Sequence, residues 1–303
     1  MTVSQPPPAA RRDFLVGLLS ALIGAVLFSA KAIVAKLIYR YNVDAVTLIN
    51  FRMLFSLPFF AVIAYWQSRD AETLTKGELW RIALLGLLGY YLASFLDFLG
   101  LQYISAGLER LILFLTPSFV LLISLFFLKK SVSRLEWLAL IVSYAGIVLV
   151  FYHDVQLGGS TVVLGSALVL GSAISYALYL LMSGQLVARV GATRLVAYAM
   201  CVASAACILQ FFLLKPVAEL VQPAEVYGLS IFNAVFCTVL PVFMTMYAVA
   251  RIGAPTASLA GMIGPVSTLF LAAIILAEPI TGVQLAGTAL VLAGIYLLSR
   301  KKR

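Results

Sequence analysis

Two stretches of the chain align with each other over their whole length without a gap: ISAGLERLILFLTPSFVLLISLFFL at residues 104–128 and IGAPTASLAGMIGPVSTLFLAAIIL at residues 252–276. The alignment continues at the same offset of 148 as far as residues 149 and 297. Identical residues occupy many aligned positions. They include Ile104/Ile252, Ala106/Ala254, Leu111/Leu259, Pro117/Pro265, Leu121/Leu269, Leu128/Leu276, Ala145/Ala293, Gly146/Gly294, Ile147/Ile295 and Leu149/Leu297. Apolar composition inflates chance matches, but paired prolines and a paired Ala-Gly-Ile are harder to obtain by chance. The sequence therefore predicts an internal repeat.

The composition indicates that lipid is the solvent of this chain. Of its 303 residues, 63% are apolar and only 11% are charged, and the mean hydropathy is +1.07. Soluble domains carry roughly a quarter charged residues, and no soluble fold of this length hides so much apolar surface. Water-soluble classes, nucleic-acid binders among them, are excluded even though the net charge is +9.

Ten apolar runs are long enough to cross a bilayer, which takes about 20 mostly apolar residues in a helix. They cover residues 14–39, 45–66, 80–101, 104–128, 135–152, 162–185, 193–214, 227–249, 254–276 and 282–299. The connections between them are short, and none is long enough to form a separate domain. The sequence thus predicts an all-α integral membrane protein with ten transmembrane helices.

The cationic residues alternate between the two sets of helix ends. Fifteen of them fall on one set: Arg11, Arg12, Arg69, Lys76, Arg81, Lys129, Lys130, Arg134, Arg189, Arg194, Arg251, Arg300, Lys301, Lys302 and Arg303. The other set carries only Arg40 and Lys215. Cationic loops stay in the cytoplasm, so we expect both termini to be cytoplasmic in a multi-pass protein of the cell (inner) membrane. Topology thus accounts for most of the net charge without an anionic partner.

The repeat divides the chain into two units of five helices. Residues 1–13 are expected to be a cytoplasmic tail, 14–152 the first unit, 153–161 an external linker, 162–299 the second unit and 300–303 a basic cytoplasmic tail. Because five is odd, the second unit crosses the membrane in the opposite sense. Inverted repeats of this kind place a substrate site near the midplane between the halves.

The paired prolines fall close to the middle of the fourth and ninth spans. A proline inside a helix removes a backbone hydrogen bond and kinks the helix. Pro117 and Pro265 are therefore candidate hinges. The alternative is a static kink that neighbouring helices accommodate.

The N-terminal run allows one other interpretation. Arg11-Arg12 followed by an apolar run and Ser29-Ala30-Lys31-Ala32 resembles a twin-arginine signal peptide with a small-residue cleavage site. The helix continues apolar beyond that site, and its removal would leave nine spans and break the repeat. A first transmembrane span is the better interpretation.

The sequence resembles the drug/metabolite transporter superfamily, EamA type. The clearest stretch, Arg251–Leu298, contains Ile252-Gly253-Ala254, Gly264-Pro265-Val266, Leu276-Ala277-Glu278-Pro279-Ile280-Thr281, Gln284-Leu285-Ala286-Gly287 and Ala293-Gly294. The order is that of the family's repeat, in which a mid-helix proline precedes a Leu-x-Glu turn and a glycine-containing final helix. The first unit departs from this pattern, because Lys130 stands where Glu278 stands in the second.

The resemblance implies a ten-helix carrier built from two repeats. Members of the family often export amino acids or related metabolites, and one branch contains YddG-like amino-acid exporters. The family motifs are structural, so they do not name a substrate.

Six charged residues lie in the interior of spans one to four, all in the half expected to face outward. They are Lys31, Lys36, Arg52, Asp97, Glu109 and Arg110. Such residues are costly in a membrane and are functional candidates by default. In one interpretation the two acids pair with two of the cations and fix neighbouring helices. In the other, Lys31 or Arg52 stays unpaired and receives a substrate carboxylate, which arginine holds bidentately.

Polar residues elsewhere in the spans are weaker candidates for a substrate cavity, which needs apolar walls with a few polar groups. They are Tyr90, Tyr91, Tyr176, Tyr179 and Asn233, with Thr238 and Thr245 on the same span as Asn233. Packing against neighbouring helices is the alternative for each of them. The ridge formed by Gly17, Ala21, Ala25 and Ser29 repeats every four residues and indicates close helix packing, not a site.

These features together favour an alternating-access carrier that exports or exchanges amino acids or related small metabolites. A membrane-embedded enzyme acting on a lipid or peptide is the rival, and a channel is a weaker one. We expect no enzyme activity, because the chain has no Ser/His/Asp set and no histidine pair. No cofactor and no metal are expected, since the chain has one histidine, His153, and no phosphate-binding loop. The expected partners are a small-molecule substrate and the lipid bilayer.

Overall fold

The computed structural model describes residues 8–69, 71–128 and 133–300 of the chain. In chain order its helices are α1 (Pro8–Tyr39), α2 (Ala45–Ser68), α3 (Lys76–Leu101), α4 (Ala106–Leu113 and Thr116–Leu128), α5 (Arg134–Gly158), α6 (Ser160–Val190), α7 (Ala192–Leu214), α8 (Ala224–Gly253), α9 (residues 254–276) and α10 (Gly282–Arg300). A short 3₁₀ helix, Val217–Leu220, lies between α7 and α8. The predictions for Lys130 and for residues 301–303 fall outside these described ranges.

The predicted fold class is confirmed. Among the described residues, nine helices are long and apolar enough to cross a membrane, and Gly282–Leu298 forms a shorter apolar helix. One connection differs from the expectation: α5 continues to Gly158 and α6 starts at Ser160. Only Gly159, with a φ of 64°, separates them, so most of the connection expected at 153–161 is helical.

Side chains of the connecting residues start several of the helices. Asp44 caps α2 by accepting a hydrogen bond from the backbone N–H of Thr47 at 2.8 Å, and Ser105 caps α4 in the same way. Thr75 begins α3 with a reciprocal capping box that includes Glu78. These side chains satisfy backbone donors that a helix start leaves without a partner. Each cap thereby fixes where a span begins.

The two spans that carry the paired prolines are broken at equivalent places. Helix α4 is interrupted at residues 114–115 and α9 at Met262. Pro117 and Pro265 lie in the first turn after each break, where the missing N–H costs nothing. The repeat is therefore visible in the backbone as well as in the sequence.

A second equivalence concerns two π-helical segments. Leu87–Leu92 interrupts α3, and Val235–Val239 interrupts α8 at the same offset that relates the two repeats. A π segment has a wider turn than an α-helix and often occurs at functional sites. The two segments face different neighbours: α3 packs on α6, and α8 packs on α1.

The helices of the two repeats are packed against each other in symmetric pairs. Helix α1 packs on α8 as α6 packs on α3, while α2 packs on α7 and α5 on α10. Glycines allow the closest of these contacts: a Cβ at Gly146 would lie 2.6 Å from the carbonyl oxygen of Gly287. The two repeats thus share their main interfaces, and Lys31, Arg52, Asp97, Glu109 and Arg110 of the first repeat are buried.

Ion pairs join the two repeats near both ends of the bundle. At the ends predicted to face outward, Lys36 contacts Glu278 at 3.6 Å and Lys215 pairs with Asp44. At the opposite ends, Arg189 contacts Glu78 and Arg251 contacts Asp13, both at 2.8 Å. Each of these pairs connects helix ends that the loop charges assign to the same side.

Candidate functional site

Lys31 on α1 is the centre of a buried group of charges. Its ammonium forms a close ion pair with Oδ2 of Asp97 on α3 and lies 3.3 Å from Oε1 of Glu109 on α4. Glu109 is 0% exposed, and Lys31 and Asp97 are also buried. Oδ1 of Asp97 and Oε2 of Glu109 have no hydrogen-bond partner among the described residues. Two carboxylates thus share one cation, and each keeps an oxygen with spare accepting capacity.

This arrangement corrects the expectation that the two acids pair with two different cations. Lys36, one of the cations expected in the group, pairs instead with Glu278 at the outer end of the bundle. The two arginines of the group, Arg52 and Arg110, have no acid partner within 4.0 Å in the part of the chain that the structure describes. The buried excess of positive charge is therefore on the guanidinium groups and not on a lysine.

Arg52 on α2 is 5% exposed and is held by two hydroxyl groups. Its Nε donates to Oγ1 of Thr238 at 2.8 Å, and its Nη1 donates to Oγ of Ser94 at 3.4 Å. Ser94 lies one helical turn before Asp97 on α3, so Arg52 is anchored beside the acids. Among the described residues no carboxylate oxygen lies within 4.0 Å of its guanidinium. Neutral groups therefore hold the Arg52 cation in place.

Arg110 on α4 is 6% exposed and is also without an acid in the described part of the chain. Its Nη2 donates to Oγ of Ser29 at 3.2 Å, and its Nε has no hydrogen-bond partner there. Ser29 in turn lies 3.1 Å from the carbonyl oxygen of Gly264, just after the break in α9. Arg110 and Glu109, neighbours in sequence, point to different partners as their 100° separation on a helix requires.

Aromatic rings connect the three cations. The ring centre of Phe98 lies 5.0 Å from Cζ of Arg52 and 5.3 Å from Nζ of Lys31. The ring centre of Phe28 lies 5.4 Å from Nζ of Lys31 and 5.1 Å from Cζ of Arg110. Desolvated contacts of this kind stabilise a cation by about 2 kcal/mol. We call Arg52, Phe98, Lys31, Phe28 and Arg110 the cation–aromatic row.

The candidate tyrosines lie apart from this row. Tyr90 and Tyr179 have their hydroxyl oxygens 3.1 Å apart, and Tyr176 stacks on Tyr179, so these three form an aromatic cluster between α3 and α6. Tyr91 lines a groove of about 340 Å³ with residues of α7, such as Gln210. Neither place brings a tyrosine hydroxyl into a hydrogen bond with the charged residues.

Asn233 is linked to the row through α8. Its carbonyl oxygen accepts a hydrogen bond from the hydroxyl of Thr238 at 3.0 Å, and that hydroxyl is the acceptor for Arg52. The side-chain amide of Asn233 is buried, and its nitrogen and oxygen have no partner among the described residues. Asn233 therefore stands one step behind Arg52, where it orients Thr238.

Several contributors to the site were not expected from the sequence. Ser29 was assigned to a packing ridge, and Ser94, Phe28 and Phe98 are ordinary residues of apolar helices. The ridge does pack as expected, since Ala21 contacts the small residues of α8 and α9. Ser29 corrects the expectation because it also binds Arg110. The one available signal was spacing: Ser94 precedes Asp97 by three residues, on the same helix face.

The chain has clear relatives. The sequence profile of the EamA-like transporter family matches residues 15–152 and again residues 163–300. The uncharacterized transporter YcbK of Bacillus subtilis (strain 168) is 31% identical over 288 residues, which cover 91% of this chain and 90% of YcbK. An uncharacterized transporter of Archaeoglobus fulgidus is 28% identical over 228 residues, covering 74% of this chain and 79% of that protein.

A solved crystal structure has a similar fold. It superposes with a TM-score of 0.62 over 97% of this chain and 99% of its own, at 18% sequence identity. At that identity the likeness extends to the fold alone.

Proposed function

The chain belongs to the EamA-like transporter family, and on this basis we propose that it is an alternating-access carrier of amino acids or related small metabolites. Two inverted repeats supply the two packings that such a carrier needs, one open to each side. The cation–aromatic row is the place for the solute. It lies between the repeats, because Arg52 bonds to α8 and Ser29 bonds to α9.

The observation that carries this proposal is the buried guanidinium of Arg52, which has no carboxylate oxygen within 4.0 Å among the described residues. A charge without a counter-ion in a low-dielectric region is costly, so its retention calls for a compensating ligand. A guanidinium offers a planar fork that matches a carboxylate bidentately. Two neutral hydroxyls hold this fork in position and leave its charge unmatched. A substrate carboxylate supplies the missing charge.

The free oxygens of Asp97 and Glu109 complete a site for an amino acid. Both oxygens are buried and have no donor within the described ranges, and both belong to acids that contact Lys31. A substrate ammonium supplies the donors that these oxygens lack. Arg52 and Asp97 are linked through the same face of α3, so one small molecule can reach both. This geometry favours a solute with a carboxylate and an amine, and it favours Arg52 over Lys31 as the carboxylate ligand.

Movement between the two packings would take place at the broken helices. The breaks before Pro117 and Pro265 leave α4 and α9 as two segments each, with fewer backbone hydrogen bonds at the joint. Glu109 and Arg110 lie on the segment of α4 before its break, and Asp97 lies on the neighbouring helix α3. A small rotation at the joints would open the row to one side and then to the other.

The proposed orientation places both termini in the cytoplasm of a cell whose inner membrane holds the protein. The loop charges support this orientation, with fifteen cations against two. In this orientation the row lies in the outer half of the membrane. Net export or exchange of the solute follows from the family resemblance.

Uptake of radiolabelled amino acids by proteoliposomes tests the proposal. Wild-type protein is expected to give saturable uptake, and Arg52→Gln is expected to lower kcat/KM by about 10- to 100-fold, because a hydrogen bond to a charged group contributes about 1.5–3 kcal/mol. Amide or ester analogues should lose much less in the variant. Arg69→Gln, which alters an exposed arginine at the end of α2, serves as the matched control.

Four results would contradict the proposal. If the protein takes up neither amino acids nor related metabolites, the proposed substrate class is wrong. Flux without saturation would indicate a channel, and turnover of a lipid or peptide would indicate an enzyme. Equal losses for carboxylates and their amides in Arg52→Gln would remove Arg52 from carboxylate binding.

A further inference from the structure

We propose that the substrate carries a second acidic group and a net negative charge, as acidic amino acids do, and that Arg110 is the specificity-determining residue that binds this group. The inference rests on the proposed function, because it extends the same site by one more ligand group. It starts from the observation that both arginines of the row, Arg110 as well as Arg52, lack a carboxylate partner among the described residues.

Arg110 meets the same physical criterion as Arg52. It is 6% exposed, and its Nη2 donates a hydrogen bond to the neutral hydroxyl of Ser29. Its Nε is buried and has no hydrogen-bond partner among the residues that the structure describes. Phe28 and Phe114 contact its guanidinium at 5.1 and 5.3 Å and exclude water from it. A desolvated cation with an unused donor is a site for an anionic group.

The position of Arg110 relative to the acids suits a single ligand. Arg110 and Lys31 share the ring of Phe28, and Lys31 contacts both carboxylates. Arg52 and Lys31 share the ring of Phe98 in the same way. The two free guanidiniums therefore flank the carboxylates that would receive an ammonium. An acidic amino acid has a matching order of charged groups, with one carboxylate on each side of the carbon that carries its amine.

Charge balance distinguishes between classes of amino acid. With both acids ionised, three cations and two acids leave the empty group with one positive charge. A neutral zwitterion leaves that charge in place, and a basic amino acid doubles it. An acidic amino acid has a net charge of minus one and neutralises it. In a low-dielectric interior, the neutral total is strongly favoured.

A purely structural role for Arg110 is the competing explanation. Its guanidinium lies against Gly264, where an added Cβ would come within 2.7 Å of Nη2, so the residue ties α4 to α9 beside both breaks. Such a role would affect the uptake of every substrate alike. Selectivity between two substrates of the same shape is therefore the measurement that separates the explanations.

Uptake of L-glutamate and L-glutamine by proteoliposomes makes this comparison, because the two differ by one charged oxygen. The wild-type protein should favour glutamate by at least about tenfold in kcat/KM, the fold-change that one charge-assisted hydrogen bond provides. In Arg110→Gln the ratio should fall towards one. Gly264→Ala, whose methyl group displaces the guanidinium, should lower the ratio as well, and Arg69→Gln should leave it at the wild-type value.

Each outcome decides the inference. A wild-type ratio near one overturns it, even if Arg110→Gln fails to fold. An unchanged ratio in a folded Arg110→Gln or in Gly264→Ala overturns the role of Arg110. Saturable uptake of neutral amino acids without a preference for glutamate would overturn the inference and leave the proposed function standing. Failure to transport any amino acid would overturn both.

Discussion

Lys31 and Arg52 have opposite relations to their surroundings although both are buried cations. Lys31 neutralises two carboxylates, so its loss would leave two acids in a low-dielectric interior. Arg52 bonds to the hydroxyls of Thr238 and Ser94, which lose little when it is removed. Lys31 is therefore expected to be needed for the stability of the folded protein, and Arg52 for substrate binding.

At the residue scale, we predict that Lys31→Met destabilises the protein by about 3–5 kcal/mol, the cost of breaking a buried ion pair from one side. The measurement is the midpoint of thermal unfolding in detergent. Arg52→Gln is the comparison and should change the midpoint much less. Adding Asp97→Asn and Glu109→Gln to Lys31→Met should restore most of the loss. A Lys31→Met protein as stable as wild type would show that the two acids do not depend on this lysine.

The elements of this protein gain their functional features from interruptions in otherwise regular helices. Helices α4 and α9 are broken just before Pro117 and Pro265, and α3 and α8 contain π segments at equivalent positions. In α8 the π segment precedes Pro241, which lacks the N–H that a regular turn would use. Thr238, inside this segment, bonds to both Asn233 and Arg52. The interruption thus places an acceptor from the second repeat on a cation of the first.

At the element scale, we predict that Pro117→Ala and Pro265→Ala slow transport and leave substrate binding intact. Alanine restores a backbone N–H, which favours a continuous helix and one of the two packings. The measurements are the initial rate of uptake and the shift in unfolding midpoint that the substrate produces. Pro58→Ala is the matched control, because Pro58 lies inside the unbroken helix α2. Transport at the wild-type rate in both variants would identify the breaks as static kinks.

At the scale of the whole molecule, the two repeats are tied together at both ends. The outer pair of Asp44 and Lys215 is one example. Burial alone would raise the pKa of Asp44, but hydrogen bonds from Lys215 and Thr47 hold it below its ordinary value. The same bond with Asp44 raises the pKa of Lys215. The contribution of ionised Asp44 to the stability of the folded protein is lost only as the pH falls through the lowered pKa of Asp44. The contact between Asp44 and Lys215 therefore stays charged at neutral pH.

The orientation of the whole molecule gives a further prediction. Reporter domains fused after Arg303 should be active only in the cytoplasm, because cationic loops remain on that side. A reporter inserted at Gly159, between α5 and α6, should be active only outside and serves as the opposite control. A C-terminal reporter active outside would contradict the orientation and the inverted repeat together.

The amino-acid sequence by itself determined the membrane class, the ten spans and the repeat. These properties are local or additive, since hydropathy is summed along a run and the repeat is read as identities at one offset. The EamA resemblance was also present in the sequence and is confirmed by the family match. The charged residues of the site were identified for the same reason, because a charge inside an apolar run is conspicuous.

Only the tertiary structure decided which of these charges are paired. Lys31 takes both acids, while Arg52 and Arg110 are held by hydroxyls. A pairing of this kind depends on how each helix is rotated about its axis and on where two helices cross. Neither quantity is encoded in any one span, because packing between helices sets both, with the breaks and π segments shifting the register further.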